Sequence, residues 1–223
     1  MTPPRFKSVV VILLLLGVTL ACIPFIRDEI KTPSYTGPWV YGSPNARWTV
    51  TEFADLECPY CKTYTPALKS WIQRQKDINM RWHHLPLDFH GPIAAHEAQA
   101  VECAGKLGGT QAFWQAIDQT FERTRSNGQG FNGHLDVDGV DQQDLAACIA
   151  SDKQIALRIN QQIGEASKAG VSATPTLLVR DNMTGRSIKL EGPADGVLLL
   201  SAIDWLAQKA DARQELIKFD QPR

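Results

Sequence analysis

The stretch Thr49-Val50-Thr51-Glu52-Phe53-Ala54-Asp55-Leu56-Glu57-Cys58-Pro59-Tyr60-Cys61 constrains this chain more than any other. A β-branched and aromatic run passes through a short acidic loop into Cys-Pro-Tyr-Cys, which opens a helix extending to about Gln73. A cysteine placed there faces unpaired backbone N–H groups and the positive end of the helix dipole, and both favour its thiolate. The thiolate is the attacking species in thiol–disulfide exchange. Pro59 fits the first helical turn, where its missing N–H costs nothing. Cys61 follows about one turn further in, placed to attack a mixed disulfide formed at Cys58. The expected centre is therefore a redox pair, Cys58 and Cys61.

Two simpler uses of the motif are weaker. A structural zinc site needs two more ligands, usually a second close pair. Cys103 and Cys148 are isolated, and His83, His84, His90, His96 and His134 show no finger-like spacing with them. Asp136-x-Asp138-Gly139 has a misplaced glycine for a calcium loop and lacks the following bidentate glutamate. No metal site is expected. A purely structural Cys58–Cys61 bridge would close too short a loop to remove much chain entropy.

Val171-Ser172-Ala173-Thr174-Pro175-Thr176-Leu177-Leu178-Val179-Arg180 sets Thr-Pro directly before a short apolar strand. A cis proline there would make a tight bend and leave the Thr174 backbone free to bond an extended peptide. Together with Cys-Pro-Tyr-Cys this resembles the thioredoxin superfamily, and within it the DsbA-type disulfide oxidoreductases. The resemblance runs from about Val40 to Ala207 and includes Glu52-Phe53, Leu85-Pro86-Leu87 with His90, Ala100-Val101-Glu102-Cys103-Ala104, Ala112-Phe113-Trp114 and Thr174-Pro175-Thr176. It implies an α/β thioredoxin fold, a central mixed sheet flanked by helices, with an inserted helical subdomain. Residues 32–90 and 170–208 would form the thioredoxin-like part and 91–169 the insertion, while the tail 209–223 is charged and expected to fray.

The resemblance also implies roles. Cys58 meets the substrate, Cys61 resolves, and Pro59, Tyr60, Thr174 and Pro175 contact the substrate chain. Glu52 would be a buried acid beneath the disulfide that exchanges a proton with Cys61; the alternative is an exposed strand carboxylate. Glu57 is expected to be solvated, and His83, His84 and His90 to be capping or surface groups. Cys103 and Cys148 are left either to bridge, closing a loop of roughly 45 residues worth about 3–4 kcal/mol in the chain-entropy model, or to sit as buried thiols.

Arg5 and Lys7 precede an apolar run from Val9 to Ile26, and Arg27-Asp28-Glu29 follow it. Its roughly eighteen residues suit an uncleaved inner-membrane anchor, or alternatively a cleaved signal peptide, so residues 1–31 are set apart. Either way the globular part leaves the cytoplasm, and the resemblance places it in the bacterial periplasm. A formal charge of −1 gives no reason to expect nucleic acid. The expected partners are exported protein thiols or disulfides and a membrane redox protein that recycles the pair; no cofactor beyond the redox-active disulfide is needed. Residues 27–47 are too short for a dimerisation domain, which favours a monomeric oxidase. A reductase or isomerase of similar fold, or a redox-inactive anchored peptide-binding module, is the alternative.

Overall fold

The computed structural model describes residues 39–219. The apolar segment Val9–Ile26 and its anchoring lie outside them. Among the described residues no helix is long and apolar enough to cross a membrane.

Five strands form one sheet: β1 (Val40–Gly42), β2 (Trp48–Ala54), β3 (Ile78–His84), β4 (Thr176–Asp181) and β5 (Ser187–Glu191), in the order β1-β3-β2-β4-β5. β2 lies at the centre because nearly all its residues are buried. It pairs in parallel with β3 from Trp48↔Ile78 to Ala54↔His84, joined by the crossover helix α1 (Pro59–Gln73). β4 runs antiparallel to β2, with Phe53 opposite Thr176. That register sets the site: the chain leaves β2 towards Cys58 at the same end of the sheet where Thr174 and Pro175 enter β4. The fold is the expected mixed-sheet thioredoxin fold with a helical insertion.

The insertion comprises α2 (Gly91–Arg123), α3 (Gln142–Ser151) and α4 (Lys153–Lys168). α2 is broken at Gly109, whose φ of 77° favours glycine. Gly105 is needed for a different reason, since a Cβ there would sit 2.6 Å from the Trp39 ring. Asp141 caps α3 by accepting from Gln143 N and Asp144 N. Cys103 on α2 and Cys148 on α3 form a disulfide, which ties the two helices together. One core runs from the sheet into this insertion: Trp82 packs edge-on to Trp114 and Phe121 of α2.

The last helix, α5 (Gly196–Phe219), continues well past Gln208, where a frayed tail was expected. The reason is composition: Ala207 to Leu216 consists almost wholly of alanine and straight-chain helix formers.

Candidate active site

Cys58 is the N-cap residue of α1, with φ −80° and ψ 120°, and Pro59 follows at the first helical position. No side chain caps this helix, so its free N–H groups are left for the sulfur. Cys58 and Cys61 are both free thiols. Cys58 keeps 4% of its surface and Cys61 none, while Tyr60 stands 70% exposed above them.

The two sulfurs have opposite acidities. A hydrogen bond from the Cys61 thiol, joined by the backbone N–H groups of Cys61 and Tyr60, outweighs burial and brings Cys58 down to about 6. Burial, the bond to Cys58 and the negative charge of Glu52 drive Cys61 far up. Only Cys58 is thiolate at neutral pH. Only when Cys58 carries its proton can Sγ donate to the Thr174 carbonyl, 3.4 Å away; the thiolate leaves that carbonyl free. The Thr174–Pro175 bond is cis, Pro175 is buried, and Thr174 Oγ1 is buried with no hydrogen-bond partner.

Glu52 projects from β2 towards α1 and is fully buried. Oε1 accepts from Thr65 Oγ1 at 2.8 Å, and Oε2 has no partner. Burial, reinforced by the charge of Cys58 and only partly offset by Thr65, raises its carboxyl to about 8. It is mostly protonated at neutral pH and lies in the field of both sulfurs.

Glu57 is not solvated. It is fully buried, accepts from Thr124 Oγ1, and accepts from Gly130 N at 3.0 Å. The expectation failed because the covering loop arrives from the insertion, some 70 residues away in sequence. Glu57 O also receives Asn127 N at 2.8 Å, and Lys62 Nζ donates to Thr124 O, so loop 124–130 is fastened along the turn before Cys58. Glu97 lies behind Glu57, its carboxyl raised to about 9 first by burial and then by the charges of Glu57 and Asp55. Asp55 orders the same turn by accepting from Glu57 N and Leu87 N and pairing with His90 Nδ1 at 2.7 Å.

The histidines are not surface groups either, although His90 takes the N-cap position of α2 without a side-chain capping bond. His90 is 4% exposed and His84 1%. His84 Nδ1 accepts from Trp82 Nε1 at 3.0 Å, and burial, then His83 and Arg158, lower His84 to about 3, which keeps it neutral. His83 is half-buried, with Nε2 at 2.8 Å from Gln162 O. Among the described residues no cluster of three or more His, Cys, Asp or Glu could hold a metal.

A family model described as Thioredoxin matches residues 34–193. The crystal structure of Pseudomonas aeruginosa DsbA2 is 51% identical, with a TM-score of 0.74 over 78% of this chain and 96% of that one. The chain belongs to the thioredoxin family, in its DsbA-type branch. Disulfide bond formation protein D of Bacillus subtilis is 26% identical over 171 residues, covering 68% of this chain and 71% of that protein. The Na(+)/H(+) antiporter NhaA 1 of Salinispora arenicola is 33% identical over 156 residues, 68% of this chain but 23% of the antiporter. The chain thus spans about a quarter of the length of the antiporters it matches. DsbA-type proteins are thiol–disulfide oxidoreductases, and the site has the parts that chemistry needs.

The structure brings Cys58, Cys61, Glu52, Thr174 and Pro175 together at one end of the central strands, with Pro59 and Tyr60 exposed beside them. Cys103 and Cys148 form their bridge within the insertion. Sequence reasoning missed Asp55, Thr65, Glu97, Thr124 and Gly130. Asp55 had a local signal, an acidic side chain two residues before a backbone N–H it could accept. The others are brought to the site by tertiary contacts.

Proposed function

We propose that the chain is a monomeric oxidase that forms disulfides in exported proteins. The observation that supports it is the divergence of the two sulfurs, Cys58 held near 6 while Cys61 is buried and driven up. A stabilised Cys58 thiolate favours the reduced enzyme and so makes its disulfide a strong oxidant.

In the oxidised enzyme a substrate thiolate attacks Cys58 Sγ. The new sulfur–sulfur bond forms as the Cys58–Cys61 bond breaks, and the electron pair leaves on Cys61. A charge cannot rest in that buried position, so Cys61 takes a proton from Glu52. A second substrate thiolate then attacks the substrate sulfur of the mixed disulfide. Cys58 departs as a thiolate, and the substrate leaves as a disulfide, having lost two electrons. A membrane redox partner removes those electrons and restores the Cys58–Cys61 bond. Pro59, Tyr60, Thr174 and Pro175 form the surface on which the substrate chain lies, and no cofactor beyond the cysteine pair takes part. The working place is the bacterial periplasm, with Val9–Ile26 as anchor or cleaved signal.

The test is the reduction potential of Cys58–Cys61 in glutathione buffers, paired with oxidation of a reduced peptide. An oxidase should lie near about −120 mV, and a value near about −200 to −230 mV would instead favour a reductase. Cys58→Ser should abolish peptide oxidation, and turnover that survives it would sink the assignment of Cys58.

A further inference from the structure

The sheet face turned away from α1 carries a separate feature. Parallel register sets Thr51 beside Arg81, and strand alternation puts both, with His83, opposite to the face of Glu52 and Trp82. α4 crosses this side and brings Arg158, Gln161 and Glu165 over it. Between strand and helix lies a cleft of about 340 Å³.

The Arg81 side chain has no hydrogen bond or ion pair with any described residue, although its Nε is shut off from solvent. Arg158 lines the same cleft, with Nε 3.9 Å from the buried Glu102 carboxyl. The acidic group on the rim, Glu165, has a side chain 66% exposed and lies 4.0 Å from His83 Nε2. Two guanidiniums therefore share one cleft, and one of them has no acceptor. A buried N–H without an acceptor is costly, and a second cation nearby adds repulsion. An oxyanion between the two forks relieves both, because planar guanidiniums match carboxylate and phosphate geometry.

We propose that this cleft binds a small organic oxyanion, its phosphate or carboxylate group bridging Arg81 and Arg158. The cleft is too large for a bare ion. A cavity of about 150 Å³ takes a benzene ring, so this one accommodates on the order of a dozen heavy atoms. The Thr51 hydroxyl and Gln161 amide line it and offer the organic part hydrogen bonds. The site is distinct from Cys58, which lies at the strand end and is reached from α1.

Calorimetric titration of the full chain at low ionic strength tests this, with glycerol 3-phosphate, succinate and uncharged glycerol as probes. Phosphatidylglycerol vesicles form a separate arm for a membrane-borne headgroup. Saturable binding of the anions and none of glycerol is expected. Arg81→Gln and Arg158→Gln should each weaken binding at least tenfold, whereas Arg74→Gln, at an exposed arginine just past the end of α1, should not. A response confined to vesicles but lost in Arg81→Gln would identify the anion as a lipid headgroup. Should Arg81→Gln fail to fold, Arg158→Gln, with a side chain 30% exposed, carries the test. No saturation in either arm, unchanged binding in both variants, or an equal loss in Arg74→Gln would overturn the proposal.

Discussion

Glu52 and Glu57 stand five residues apart on the two sides of one turn, both fully buried, and are held in contrasting ways. Glu52 has one hydroxyl partner, Thr65, and one oxygen with none. Glu57 has a hydroxyl and a backbone N–H, both from loop 124–130. The first arrangement leaves a carboxyl that prefers its proton and can give it up when a sulfur beside it needs one. The second makes a carboxyl into a fastening between the insertion and the turn that presents Cys58. Burial alone therefore does not make an acid reactive; what matters is how many donors the fold supplies to it.

The largest expected consequence is a pH dependence of stability in the reduced protein. Glu52 rises on folding from 4.5 to about 8. A raised carboxyl favours the folded state below its unfolded value, and that advantage is lost as pH climbs through the folded value. Between about pH 4.5 and 8 the loss from Glu52 should total about 3–5 kcal/mol. Urea denaturation across that range should show falling stability with a flatter profile in Glu52→Gln. Glu97, raised to about 9, acts in the same direction, so a residual slope should persist until it too is replaced. An unchanged slope in Glu52→Gln would remove the contrast between the two acids.

A smaller loss should come from cutting the fastening. Glu57→Ala strands the Thr124 hydroxyl and the Gly130 N–H in a buried place, which should cost about 2–4 kcal/mol. Glu52→Ala strands only the Thr65 hydroxyl and should cost about 1–2 kcal/mol at pH 5. Hydrogen exchange of the 124–130 amides should accelerate in Glu57→Ala and not in Glu52→Ala. Equal acceleration in both would mean that the loop is held by something other than Glu57.

The same pair shows what the sequence made legible. Glu52 lies in a strand leading to a Cys-x-x-Cys helix, and resemblance and strand context agree on a buried acid. The approach of Pro175 to Cys58 comes from the antiparallel pairing of β2 with β4, which reading each strand by itself does not give. Glu57 looked like a solvated loop acid because everything that buries it comes from distant sequence. His84 and His90 misled for the same reason, since Trp82, Glu102 and Asp55 enclose them only after the sheet and insertion meet. The end of α5 was misjudged differently: charge suggested fraying, whereas the residue types between Ala207 and Leu216 favour helix at nearly every position.

The smallest expected effect concerns Tyr60, the exposed counterpart to these buried acids, which lies between the two cysteines. Tyr60→His puts a potentially cationic ring next to the Cys58 sulfur, and a cation there stabilises the thiolate more than the disulfide. Two features limit the gain. Tyr60 is 70% exposed, so a charge at its ring would be screened by water and salt. An ordinary histidine also titrates near about 6.5, and Cys58 titrates near 6, so the ring is only partly charged as the thiolate forms. The shift at Cys58 should therefore stay below about one pKa unit, which bounds the rise in potential at roughly 30 mV for a two-electron couple. Thiolate absorbance against pH, read beside glutathione equilibration, measures both quantities on one sample. A rise above about 60 mV would show that the residue between the cysteines acts on the sulfur at close range, unscreened, and that exposure is a poor guide to influence at this helix end.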